Sequence, residues 1–231
     1  MVKIFEKKEF SRFYDRNSGA VFSDLEFREC RFISSVISIT KQVHLRTVVR
    51  NVVLRDCEVL GCGLDNPILE DVYVDGFKTN QLLQTWGAAF QHVTLRGKIG
   101  RVMISPIIAP GQATPEEQQA FNDANQAYYA GVDWALDIKE AECQELEIQG
   151  IPAKLIRRDP ETQVVVTRKS AMRGEWRTLD LTGTWWPVSL KVLLDRGDQD
   201  VVLVAPKRNK AFKKLWNGLN LLREAGVANP D

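Results

Sequence analysis

The chain has 231 residues, with 31 Lys and Arg against 30 Asp and Glu and a formal net charge of +1. That balance excludes both a global field to hold nucleic acid and an acidic surface to imitate it. At this length folding buries roughly 70 to 75% of the unfolded surface, enough for one large core without disulfide staples.

The opening MVKIFEKKEF has no apolar signal-peptide core, and no stretch approaches the roughly 18 apolar residues of a membrane span. Cys30, Cys57, Cys62 and Cys143 include no C-x-x-C pair, and with two histidines they cannot supply a zinc cluster of familiar spacing. They read as small interior side chains in a reducing compartment. The expectation is a soluble cytoplasmic protein without a membrane partner.

Residues 1–19, with Ile4, Phe5, Phe10, Phe13 and Tyr14 set among charges, predict an N-terminal plug. Phe22, Phe27 and Phe32 then recur every fifth residue, with Ala20, Leu25 and Cys30 each two positions earlier. Neither a helix nor an ordinary strand repeats every five. A chain of short strands turning corners into a stacked coil does.

A longer pattern overlies this one: DLEFREC from Asp24, NVVLRDC from Asn51, DVYVDGF from Asp71, HVTLRGK from His92, ELEIQGI from Glu145 and TLDLTGT from Thr178. Alternation puts Val52 and Leu54, Val72 and Val74, and Val93 and Leu95 on one side of their strands, as a stacked interior. Gly76, Gly97, Gly150 and Gly183 follow, where a sharp corner needs positive φ.

Residues 106–131 interrupt the coils. Thr114, Pro115 and Glu117 predict a capped helix start, with Ala120, Phe121, Ala124, Ala127 and Tyr128 on its apolar face. The coil pattern returns at Ala141, Cys143, Leu146, Ile148 and Ile151.

Beyond Ile151 the stretch KLIRRDPETQVVVTR predicts a hairpin turning at Asp159 and Pro160. A strand at Leu179 to Leu181, a helix from Pro187 to Arg196 closed by Gly197, a strand from Val201 to Val204 and a helix from Arg208 to Ala225 follow. Their alternation suggests one right-handed crossover onto parallel strands.

The five-residue units AVFSD, LEFRE and CRFIS resemble a degenerate pentapeptide-repeat protein, over residues 20–104 and 138–151. The resemblance implies a mainly β fold: a right-handed parallel β-helix over residues 1–183 carrying the helical insertion, with a small α/β cap over 184–231. In LDLTG and VVLVAP, residues 176–226 resemble half of a STAS domain. Trp185, Trp186, Pro187 and Val188 stand where that family has its Asp-Ser-Ser-Gly helix start, so its phosphorylation chemistry is not carried over.

Three surfaces are candidate sites. Aligned coils stack Asn51, Asp71 and His92, and likewise Arg55, Asp75 and Arg96. These form either a charge ladder or a shallow polysaccharide or metal site, with Asp71 and Asp75 as ligands or acids and His92 or Arg96 assisting. Of Trp185 and Trp186, one is expected in the core and one partly exposed, covering a join or anchoring a partner. The final helix sets Phe212, Leu215, Trp216, Leu219 and Leu222 on one stripe, with Lys210, Lys213 and Lys214 opposite and Lys207 and Arg208 at its start. That is a docking helix with a basic face, or a site for nucleic acid or an anionic surface.

Walker, Rossmann, GxSxG and HExxH motifs do not occur, and no cofactor is expected. The pattern favours a non-enzymatic scaffold that binds another protein, as pentapeptide-repeat relatives do in inhibitor, immunity or regulatory roles. The alternatives are a carbohydrate-active β-helix enzyme and a nucleic-acid binder acting through the basic helix.

Overall fold

The structure, a computed structural model, describes residues 1–229. The first tier comprises β1 (Lys3–Glu6), β2 (Glu9–Ser11) and β3 (Tyr14–Arg16). Beneath it lie β4 (Val21–Arg28), β5 (Arg31–Ile33) and β6 (Val36–Ile39), each in parallel with its counterpart above. Then come β7 (Val48–Leu60) and β8 (Gly63–Asp65), β9 (Ile68–Thr79) and β10 (Leu83–Trp86), and β11 (Ala89–Gln91) and β12 (Val93–Ser105). β4 pairs with β7, β7 with β9 and β9 with β12, all in parallel. After α1 (Pro115–Tyr129), β13 (Leu136–Asp137), β14 (Ala141–Ile148) and β15 (Ile156–Arg157) continue the parallel pairing. The chain is thus mainly β, with a large parallel sheet curled into a half-barrel and a few helices.

The register places apolar residues as their alternation dictates. Val52 pairs with Val72, Leu54 with Val74 and Val74 with Leu95, and all of them belong to one apolar cluster. Phe5 stacks on Phe27 at 5.2 Å between ring centroids, and Phe10 on Phe32 at 5.4 Å. Phe22 departs from this column and meets the exposed Phe13 edge-on. Cys30, Cys57 and Cys143 are buried as free thiols, and burial pushes Cys57 up to about 11 and Cys143 up to about 12.

The corners explain the glycines and more. Gly76 and Gly97 have φ of 74° and 65°, and they continue a column in which Lys7, Glu29 and Asp56 hold the same left-handed conformation. A second column of positive φ runs through Asp24, Asn51, Asp71 and His92. Short polar side chains tolerate this region better than most because they bond locally, so the corner signal is spread over Asp, Asn and Ser as well as Gly.

Residues 1–19 are not a plug. Their strands form the first tier itself, because Phe5 and Phe10 continue the aromatic column upward and so recruit the segment into the sheet. Among the described residues, no strand pairs with the outer edges of β1, β2 or β3.

The C-terminal region also departs from expectation. β16 (Gln163–Thr167) does not form a hairpin with β15, which pairs in parallel with β13. The Asp159 carboxylate folds the intervening turn on itself, accepting from the Glu161 N–H and the Thr162 hydroxyl, while β16 pairs antiparallel with β17 (Asp200–Val204) and β18 (Ala228–Asn229). α2 (Arg168–Arg173) follows β16. Leu179 to Leu181 form tight turns rather than a strand, with Leu181 buried as an apolar anchor. α3 (Trp186–Arg196) ends at Gly197 as expected. It joins the antiparallel β16 and β17, so the predicted crossover onto a parallel neighbour is not formed there. α4 (Phe212–Glu224) starts later than Arg208, because Asn209 accepts from the Ala211 N–H in a turn. A second apolar cluster unites Val164, Trp176, Leu181, Trp186, Leu190, Leu215 and Leu219.

α1 begins with the predicted capping box: Thr114 accepts from the Glu117 N–H at 3.2 Å and Glu117 accepts from the Thr114 N–H at 2.8 Å. Its buried face is Phe121, Asn125 and Tyr129, whereas Ala120 and Ala127 are exposed. Asn125 faces inward because Arg46 is there. That guanidinium is 5% exposed and donates to Asn66 O (2.8 Å), Asn125 Oδ1 (2.8 Å), Pro67 O (3.0 Å) and Gly87 O (3.1 Å), with the Phe121 ring 5.5 Å away. Burial lowers its pKa to about 10, so it remains a cation at neutral pH, held by neutral oxygens.

Replacing Arg46 by Met leaves Asn66 O and Asn125 Oδ1 without this donor, while Pro67 O keeps the Ala89 N–H and Gly87 O keeps Asn125 Nδ2. At about 1 to 3 kcal/mol per orphaned group, offset in part by relief of the desolvated charge, the expected loss is about 2 to 4 kcal/mol in urea unfolding. Arg46→Lys should recover little of it, since one ammonium cannot fork to four oxygens.

Candidate functional site

The left-handed column brings Asp71 and His92 together on an exposed corner. Asn51 Nδ2 donates to Asp24 Oδ1 at 2.6 Å, and His92 Nδ1 lies 3.0 Å from Asp71 Oδ1. Asp133, which follows the helical insertion, completes the column at 2.7 Å from His92 Nε2. The Trp134 ring lies 4.7 Å from the imidazole, and the Arg157 guanidinium lies over the Trp134 ring at 4.0 Å from its centre. Sequence reasoning missed Asp133 because some forty residues separate it from His92. The signal was Trp134 itself, placed where the coil pattern resumes.

This corner binds charge but is poorly suited to acid-base chemistry. The Asp71 and Asp133 side chains are 59% and 73% exposed, so water screens them. The His92 bond holds Asp133 below the usual carboxylate range, and Asp133, then Asp71, raise His92 above its usual value against the opposing effect of burial. Among the described residues, no group of three or more His, Cys, Asp or Glu could hold a metal ion.

Arg55, Asp75 and Arg96 align in register as expected. Arg55 contacts Glu26 at 3.4 Å and Asp75 at 4.0 Å, while Arg96 turns away to Glu140 at 2.9 Å. Such exposed pairs contribute little individually, and their alternation relieves like-charge stacking.

The other candidates lie apart from this corner. Trp186 is buried, its indole N–H donating to Leu215 O at 3.1 Å, and Trp185 is half-buried against it. Both line a small cavity between β14, β17 and α3. Lys207 pairs with Asp159 at 2.9 Å. Arg208 reaches Ile99 O at 3.2 Å, and its own N–H donates to Cys143 O, strapping the C-terminal unit to the sheet. Lys214 lies across Gly183, whose added Cβ would sit 2.3 Å from the ammonium, while Lys210 and Lys213 are exposed.

A further surface was not singled out as such from the sequence. Among the described residues, six of the eight exposed large apolar side chains, Met1, Val2, Ile4, Phe13, Tyr14 and Val21, lie at the first-tier end, with Met172 and Val188 elsewhere. This concentration coincides with the unpaired edges of β1, β2 and β3.

No protein-family model matches this chain, and neither a curated protein nor a solved structure shows significant similarity to it. Among the described residues, no helix is long and apolar enough to cross a membrane.

The His92 column makes a pH prediction. A raised His92 pKa contributes stability fully present below its unfolded value of about 6.5 and lost as pH rises through the folded value. The lowered Asp133 pKa acts oppositely, contributing above its unfolded value and fading in acid. Imidazole titration by NMR should therefore place His92 above an unperturbed histidine, and Asp133→Asn should bring it down. In His92→Asn the corresponding loss of unfolding stability between weakly acid and weakly alkaline pH should disappear.

Proposed function

We propose that this protein is a non-enzymatic scaffold that binds another protein, its tiers forming a right-handed parallel β-helix rod of pentapeptide-repeat type. Within that class it acts as an inhibitor, immunity or regulatory partner. The observation that carries the reading is the first tier, where open strand edges and most of the exposed large apolar side chains coincide. Open edges recruit polypeptide, and clustered exposed apolar groups mark interaction surfaces. A stiff ladder of in-register strands loses little entropy on docking. Buried free thiols suit a reducing, cytoplasmic setting.

The nucleic-acid reading is weakened because Lys207 and Arg208 are engaged within the fold. The carbohydrate-enzyme reading is weakened because the acidic corner is an exposed face rather than a cleft.

Affinity capture from the native cell should recover one stoichiometric protein on the wild-type chain and lose it on Phe13→Glu/Tyr14→Glu, with circular dichroism and urea unfolding matching wild type to show that the fold is kept. Turnover on an oligosaccharide panel, or equal recovery by both chains, would overturn the proposal.

A further inference from the structure

We infer that the occupant of the first-tier edge is an extended acidic segment of another polypeptide, added as a strand along β1 and β2. This rests on the protein-binding reading above and specifies its partner. Three observations converge on it.

The edges themselves call for backbone: the three strands of the first tier pair only with the tier beneath, among the described residues. A strand laid there gains main-chain hydrogen bonds, and its alternate side chains fall on the two sides of the sheet. On the inner side, the half-buried Phe5 and Phe10 end the aromatic column; on the outer side, Ile4 is 52% exposed. Apolar residues of the incoming strand have partners on both.

The charge of the rim selects the remainder. Lys3, Lys8, Arg12 and Arg16 are exposed around it. Of the acids there, Glu9 pairs with Arg31 at 3.3 Å, and Asp15 is buried, accepting from the Ser38 N–H and the Thr47 hydroxyl. Lys3 holds its ammonium 4.9 Å from the Phe5 ring centre, directly over the open end of the column, where an entering carboxylate would meet it. A second copy of this chain would bring a rim of the same sign, and nucleic acid would leave the main-chain groups of the strand edges unpaired.

The test uses fluorescently labelled ten-residue peptides, one alternating Val with Glu and one alternating Val with Lys, titrated with the full chain in anisotropy measurements. The Glu peptide should bind more tightly by roughly three- to tenfold, and the preference should shrink with salt. Lys3→Glu/Lys8→Glu/Arg12→Glu should reverse it, and Lys8→Glu alone should reduce it; circular dichroism matching wild type confirms that these exposed changes leave the fold intact. Hydrogen exchange with the Glu peptide bound should show added protection confined to residues 3–16. Equal affinity for both peptides, binding to neither, protection elsewhere, or an end-to-end dimer of the chain alone that protects 3–16 would each overturn the inference. A folded partner captured by wild type and lost on Phe13→Glu/Tyr14→Glu, with neither peptide binding, sinks this inference while sparing the scaffold reading; peptide binding unaffected by that double change sinks the scaffold argument drawn from those side chains.

Discussion

Everything in this molecule depends on corners that recur at the same place in successive tiers. A parallel strand can follow another in register only if the chain bends identically each time, and here the bend is a single residue with positive φ. Once the corner columns are aligned, apolar positions fall above apolar positions without further instruction. Val52, Val72 and their neighbours then need only be of suitable size. The cost of left-handed backbone at non-glycine residues is spread along the columns and offset by side chains that bond to the residue above or below, as Asn51 does to Asp24.

The same alignment determines where charge can go. Residues on the outer face and at corners meet their equivalents at the strand spacing, so like charges in successive tiers would repel along the whole column. Arg55, Asp75 and Arg96 alternate, His92 sits between two carboxylates, and where Arg28 and Arg55 do stack in register both lean on Glu26. What looks like a constellation of chemical groups is therefore first a consequence of stacking. The insertion obeys a different logic. Arg46 and Asn125 tie α1 to carbonyls of the tier junctions.

Much of the ladder was legible before any coordinates. The seven-residue pattern from Asn51, Asp71 and His92 put the interior pairs and the Arg55, Asp75 and Arg96 row in register, because a period-two strand with a marked corner leaves little freedom. The capping box at Thr114 was equally plain, being a purely local device. The failures share a cause. Residues 1–19 were read as a plug because their charges obscured that Phe5 and Phe10 continue the column, and the Asp159 turn was read as a hairpin because a turn does not reveal which strands it joins. Asp133 and Arg46 act across long separations, and nothing in a linear pattern announces a partner tens of residues away.

The two ends of the sheet differ in kind. At one, β14 meets β17 antiparallel at Ile148 and Val202, and Arg208 and Asn209 bind the adjoining strands, so the parallel order stops against a different architecture. At the other, the last strands have one neighbour instead of two. A strand held from a single side opens at lower cost than one held from both. Among the described residues, β1, β2 and β3 are thus strands whose release breaks pairing on one side alone.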